Sequence, residues 1–195
     1  MNAFEECVAA GGVALFPADT VYGLATGAES AGGVRRLYEI KGRPQDRPAA
    51  VMFFQLQDAL AALPELGPQT RAALERLLPG PVTLVLPNPA RRFPLACGPS
   101  PERLGLRVPE MPALSSVHTP VLQSSANPSG GADARRLEDV DPRIREQVDL
   151  ELDGGELPGT PSTVVDLTDF ESSGEYAVLR DGALDSASLA AALSV

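Results

Sequence analysis

Lys41 and Arg43 stand two residues apart in KGRPQDR, which collects three cations within seven residues of an acidic chain. Other polar residues capable of binding or chemistry fall at the ends of short apolar runs: Thr20, Arg107, Ser125, Asn127, Ser162 and Arg180. Three arginines and a lysine make a site for anions, and the hydroxyls and amide add directional hydrogen bonds to phosphate or carboxylate oxygens. A nucleotide suits that inventory. Sixteen Lys and Arg against twenty-six Asp and Glu leave a formal net charge of −10, so a polyanion must bind locally rather than over the whole surface. Cys7, Cys97 and the lone His118 have none of the clustered spacings that bind zinc, so neither a dedicated protein-ligated metal site nor a disulfide framework is expected.

The elements that must position these residues read as α/β, with short apolar strands alternating with helical patterns. GGVALFP from Gly11 is a buried strand, followed by a turn-rich DTVYGLA. A helix follows, with Val34, Leu37 and Tyr38 on one face and Lys41 continuing that stripe in its last turn. Gly42 suits the position just past the helix, and Pro44 biases Arg43 toward an extended backbone. Further strands are expected in PAAVMFF, VTLVLP, LGLRVP, PVLQSS, STVVDLT and YAVLRDG. PQTRAALERLLPG reads as a helix, as do a charged segment ending near Val148 and the alanine-rich C-terminus. LDGGELPGTPS, from Leu152 to Ser162, reads as a flexible connection. At 195 residues and 44% apolar content, one globular domain over 1–195 is expected. No apolar run approaches the length of a membrane span, and the N-terminus lacks the basic region of a signal peptide, so the expected setting is cytoplasmic.

Each residue also has a plainer role open to it. Lys41 could offset a helix dipole, and Arg43 and Arg47 could be solvated. Ser125 and Asn127, ahead of Pro128 and Gly130, could form a turn. Thr20 and Tyr22 could be strand-end packing, Ser162 could begin a strand, Arg107 and Arg180 could pair with surface carboxylates, and His118 could be an incidental loop residue.

The blocks FPADTVYGL, YEIKGRPQDRP, LGLRVP, SSANPSG, PSTVVDL and LRDGAL, in this order and over nearly the whole chain, resemble the successive motifs of the YrdC family. Lys41-x-Arg43 with Ser125-x-Asn127 resembles its signature tetrad. The resemblance implies a twisted mixed sheet with helices and a positively charged concave cleft. It implies threonylcarbamoyl-AMP synthase activity, in which L-threonine, bicarbonate and ATP give threonylcarbamoyl adenylate and pyrophosphate. The product then serves modification of tRNA next to the anticodon through a downstream threonylcarbamoyl transferase complex. On this resemblance Lys41 and Arg43 are catalytic and bind ATP with Ser125, Asn127, Ser162 and Arg180. Thr20, Tyr22 and Arg107 contact threonine, and Mg²⁺ arrives with ATP.

Two positions depart from the family pattern. Ala18 replaces a threonine, and Met52 stands where some longer members have histidine; both bear on the amino-acid pocket. The chain ends soon after LRDGAL, which matches the short members. A related carbamoyl-adenylate-forming enzyme and a non-catalytic RNA-binding module are the alternatives, and weak tRNA binding is compatible with either the main reading or the second of these.

Overall fold

The computed structural model describes residues 3–194. Nine strands form one twisted mixed sheet: β1 (Ala14–Pro17), β2 (Tyr22–Gly27), β3 (Ala50–Met52), β4 (Val82–Pro87), β5 (Arg103–Arg107), β6 (Val121–Ser125), β7 (Leu150–Glu151), β8 (Thr163–Asp166) and β9 (Ala177–Arg180). They lie in the order β7-β1-β2-β6-β3-β5-β4-β8-β9. The pairs β3–β5, β4–β8 and β1–β7 are parallel and the others antiparallel. The helices are α1 (Ala3–Ala9), α2 (Ala31–Lys41), α3 (Leu56–Ala62), α4 (Pro68–Leu77), α5 (Pro94–Cys97), α6 (Pro142–Arg145), α7 (Phe170–Ser173) and α8 (Ser186–Leu193).

The period-two alternation of strand side chains sorts this sheet into two faces. On one face Leu122, Val51, Leu106, Leu84 and Val165 lie side by side through the paired registers of five strands. All five are sealed from solvent and pack with Leu37 and Tyr38 of α2, Leu74 of α4 and Leu189 of α8. Each contributes roughly 1.5–3 kcal/mol through burial, so stability resides mainly on this face. The opposite face carries Ala25, Gln123, Ala50, Gly105 and Val85 in the adjacent row. These are mostly too small to fill the space above them. At the β1 end, Phe4 and Val8 of α1 close this face over Phe16, Ala25, Met52 and Val121. The remainder stays open as a concavity.

The helix expected before Lys41 forms as α2. Ser30 caps it by accepting from the Gly33 N–H, and Gly42 takes the left-handed conformation at φ 60° just past its end. Backbone bonds from Gly42 N–H to Glu39 and from Arg43 N–H to Tyr38 close the Schellman pattern. The turn-rich reading of DTVYGLA is corrected: only Asp19–Val21 bend, and Tyr22–Gly27 is an interior strand between β1 and β6. Its glycines imitate a turn signal, yet Gly23 is there for close approach. A Cβ at that position would lie 2.8 Å from Gln123 Nε2 and 3.2 Å from the Phe16 ring. The charged segment before Val148 is likewise no long helix, only a 3₁₀ turn at Leu137–Asp139 and the single turn α6. Pro142 interrupts it, and its charges pair with residues beyond the segment, as in Arg136–Glu156 and Arg145–Glu151.

The 152–162 segment, expected to be flexible, is a strap held at several points. The Tyr22 hydroxyl accepts from the Gly154 N–H and reaches Asp153 Oδ1 and the Gly155 carbonyl, each at 3.0 Å. Farther along, Leu157 N–H donates to Arg135 and Gly159 N–H to Thr20. Tyr22→Phe keeps the buried ring and removes only this anchor. It is expected to lower stability by about 1 kcal/mol, read as the melting midpoint, and to speed limited proteolysis within 153–159.

Candidate functional site

The open concavity is a cavity of about 480 Å³ on the face that carries Gln123, Gly105 and Val85. Alternation along each strand supplies its polar lining: Thr83 from β4, Arg103 and Arg107 from β5, and Gln123 and Ser125 from β6. Thr20, Arg43, Ser162 and Arg180 add to it, while Ala49, Ala50, Val164 and Leu179 give apolar wall. Of the residues singled out from sequence, Thr20, Arg43, Arg107, Ser125, Ser162 and Arg180 therefore meet in one place.

Lys41 and Asn127 lie just behind that lining. The Lys41 ammonium is buried and donates to the Ser125 carbonyl, to the Asn127 carbonyl at 2.7 Å and to Asn127 Oδ1 at 3.1 Å. Ser125 Oγ donates to the same Oδ1 at 2.6 Å, and Asn127 Nδ2 donates to the Gly131 carbonyl at 2.5 Å. Lys41, Ser125 and Asn127 are thus one hydrogen-bonded unit. Arg43 stands beside them, its guanidinium 5.6 Å from the centre of the Tyr38 ring and bonded to the Pro48 carbonyl. Its Nε is buried without a partner.

The cavity holds two kinds of cation. Arg103 pairs with Asp166 at 2.5 Å and Arg107 with Asp19 at 2.6 Å. Lys41, Arg43 and Arg180 make no ion pair with any described residue; Arg180 instead donates to the Ser162 carbonyl at 2.7 Å. Ser162 Oγ in turn lies 2.9 Å from Thr83 Oγ1. Asp133 is the one carboxylate lining the cavity. Burial pushes the Asp19 carboxyl up, and the neighbouring Arg107 charge works against that rise. The Thr20 hydroxyl, also buried, lies near enough to favour the Asp19 charge, yet it makes no hydrogen bond of ordinary geometry.

Tyr22 is not part of this site. Its strand parity turns it to the helix-covered face with Leu24, where its hydroxyl holds the strap. Tyr22, expected to contact threonine, is therefore absent from the cavity lining. Ala18 and Met52 both belong to the apolar cluster beneath α1 rather than to the cavity lining. His118 pairs with Asp58 at the surface. Asp19, Thr83, Arg103 and Gln123 were missed from sequence. For Arg103 and Gln123 the signal was available, since Arg103 stands four residues from Arg107 on β5 and Gln123 two from Ser125 on β6, even spacings that put each on the same face as a recognised site residue.

The architecture and lining define a class: an α/β domain whose mixed sheet is partly bare on one face and lined there by arginines and hydroxyls, groups suited to binding an anion. The chain belongs to the Sua5/YciO/YrdC family, whose model, described as telomere recombination, matches residues 6–182. It is 30% identical over 179 residues to the threonylcarbamoyl-AMP synthase of Pyrococcus abyssi, covering 89% of this chain and 51% of the relative. With that of Bacillus subtilis it shares 32% over 165 residues, covering 80% and 47%. The structure of P. abyssi Sua5 complexed with L-threonine superposes with a TM-score of 0.85 at 26% identity, over 97% of this chain and 56% of that one. The chain thus spans about half the length of these relatives.

Burial, and then repulsion from Arg43, push the Lys41 ammonium down to about 8, with Asp133 acting in the opposite sense. The charged form is therefore disfavoured by folding. That cost is full below about pH 8 and is relieved as pH rises toward the ordinary lysine value of 10.5. A bound polyanion favours the charged form, so affinity for a phosphate-bearing anion is expected to fall as pH rises through about 8, with proton uptake on binding near that pH. Calorimetry in buffers of different ionisation enthalpy measures this directly. Lys41→Met should bind more weakly below pH 8 and lose that limb of the profile, whereas an unchanged limb would place the titration on another group.

Proposed function

We propose that this chain is a threonylcarbamoyl-AMP synthase. The observation that carries the reading is the division of the cations: three without a carboxylate partner suit a triphosphate, and an arginine already neutralised by Asp19 suits a zwitterionic amino acid. The names of its relatives and the threonine-bound Sua5 structure support the same substrates. ATP, L-threonine and bicarbonate are the small-molecule partners. The adenylate would pass to a tRNA threonylcarbamoyl transferase complex in a cytoplasmic setting.

In the proposed reaction the threonine amine takes up carbon dioxide from bicarbonate to give a carbamate. A carbamate oxygen attacks the α-phosphorus of ATP, the bond to the bridging oxygen breaks, and pyrophosphate leaves. No protein nucleophile is needed. The chain's work is to hold mutually repelling anions in line and to stabilise charge on the phosphorus and leaving group. Arg43, with Lys41 close behind, would face the triphosphate. Ser125 Oγ and the Asn127 amide hold that wall in shape, and Ser162 with Arg180 would meet the adenylate. Thr20 and Arg107 would take the amino acid, with Arg107 on its carboxylate. Mg²⁺ would enter on the triphosphate as part of the substrate. Among the described residues no cluster of three carboxylate, imidazole or thiol groups offers it a separate cage, and Asp133 is the carboxylate within the lining.

Incubation with Mg²⁺, ATP, bicarbonate and L-threonine is expected to yield threonylcarbamoyl adenylate by mass detection, with pyrophosphate release dependent on both co-substrates. Serine should be poorer, through the loss of methyl contacts worth roughly 1 kcal/mol. Arg43→Ala should lower the rate about a hundredfold or more while leaving the melting midpoint nearly unchanged. A chain that binds ATP but forms no adenylate would overturn the assignment.

A further inference from the structure

Gln123 is the polar exception in the middle of the cavity floor. Its register partners on either side are Ala25 of β2 and Ala50 of β3, and beyond Ala50 lies Gly105. In such a row of small side chains a long amide reaches over its neighbours. It is nevertheless buried, at 5% exposure, because it lies along the floor toward the end of β5. There its Oε1 accepts from Arg107 Nη1 at 3.1 Å. A guanidinium has only donors, so this contact fixes the amide's orientation: the oxygen faces Arg107 and the NH₂ group is turned away from it.

That NH₂ group has no hydrogen-bond partner among the described residues. Unlike Arg107 Nε, which is sealed off, it stays open to the cavity. The missing side chain at Gly23 leaves room for it. On its other side Arg107 donates Nη2 to Asp19 Oδ1 at 2.6 Å. Arg107 is therefore clamped between an anion and a neutral amide, and the group of three carries no net charge. It presents the second N–H bonds of Nη1 and Nη2 together with the N–H bonds of Gln123. Such a surface favours a neutral zwitterion over a second polyanion, because it offers directed donors without surplus positive charge.

We propose that Gln123 is a specificity-determining residue whose Nε2 donates to the carboxylate of an α-amino acid held at Arg107. The inference rests on the synthase reading for the identity of that amino acid. Its two amide atoms have separate tasks: Oε1 braces Arg107, and Nε2 binds substrate.

Two substitutions separate those tasks, with L-threonine and ATP binding followed by calorimetry on the whole chain. Gln123→Leu removes both atoms and is expected to weaken L-threonine by about tenfold or more while ATP affinity stays within about twofold. Gln123→Glu keeps an acceptor for Arg107 but sets a carboxylate oxygen against the substrate's own. It should weaken L-threonine at least as far, with the melting midpoint maintained. The unsubstituted chain should also prefer L-threonine to its methyl ester, and Gln123→Leu should narrow that preference. Binding by Gln123→Glu equal to that of the unsubstituted chain would leave Gln123 as a brace only and overturn the proposal, as would parallel loss of both ligands. Undiminished L-threonine binding in Gln123→Leu would overturn this inference alone. Failure of the unsubstituted chain to bind L-threonine would overturn it together with the synthase reading.

Discussion

A buried lysine ammonium that makes no ion pair with any described carboxylate is the constraint around which the site is arranged. Lys41 ends α2 on the inward stripe, and its charge is satisfied by carbonyls of Ser125 and Asn127 and by the Asn127 side chain. Burying an ammonium this way is costly unless every donor finds an acceptor. The chain beyond β6 must therefore turn its carbonyls toward the end of the helix. The Ser129 N–H bond to the Lys41 carbonyl fastens the same junction from the other direction. Helix end, loop and strand end are consequently one rigid corner, from which Arg43 emerges along the cavity wall.

The net charge of −10 gives this corner its meaning. Carboxylates are plentiful, and across the surface arginines find them, as in Arg36–Asp149 and Arg135–Glu156. In the concavity Arg43 and Arg180, and just behind it Lys41, are instead bonded to carbonyls. Carbonyl partners hold a cation in place without cancelling its charge, so its field remains available to a ligand. Asp133 and the two paired arginines set the limits of that field.

Much of this was legible in the sequence where one physical signal acted alone. The apolar stripe through Val34, Leu37 and Tyr38, followed by Gly42, located α2 and turned Lys41 inward. Period-two runs such as Leu104–Gly105–Leu106–Arg107 gave strands with Arg107 on the cleft side. The reading failed where two signals competed. Gly23 and Gly27 look like turn residues, but in β2 they are small because Phe16, Gln123 and the α1 backbone crowd them. Tyr22 stood inside a motif whose neighbours line the cavity, yet strand parity sends it to the other face. The strap was misjudged because its restraints are a tyrosine hydroxyl 131 residues away in sequence and the carbonyls of Thr20 and Arg135. Long-range bonds of that kind leave no local pattern.

Arg180 stands apart from the other cavity residues in the strand that carries it. β9 ends the sheet order, all four of its residues are exposed, and its pairing with β8 is interrupted at Val164/Val165. An edge held from one side opens more readily than the five-strand interior that carries the floor. The cavity therefore combines a floor governed by global unfolding with a rim governed by local opening. A ligand that engages Arg180 ties the two together, so its binding free energy includes the cost of quieting a sheet edge. Engagement of Arg180 would thus join a four-residue edge strand to the interior of the sheet.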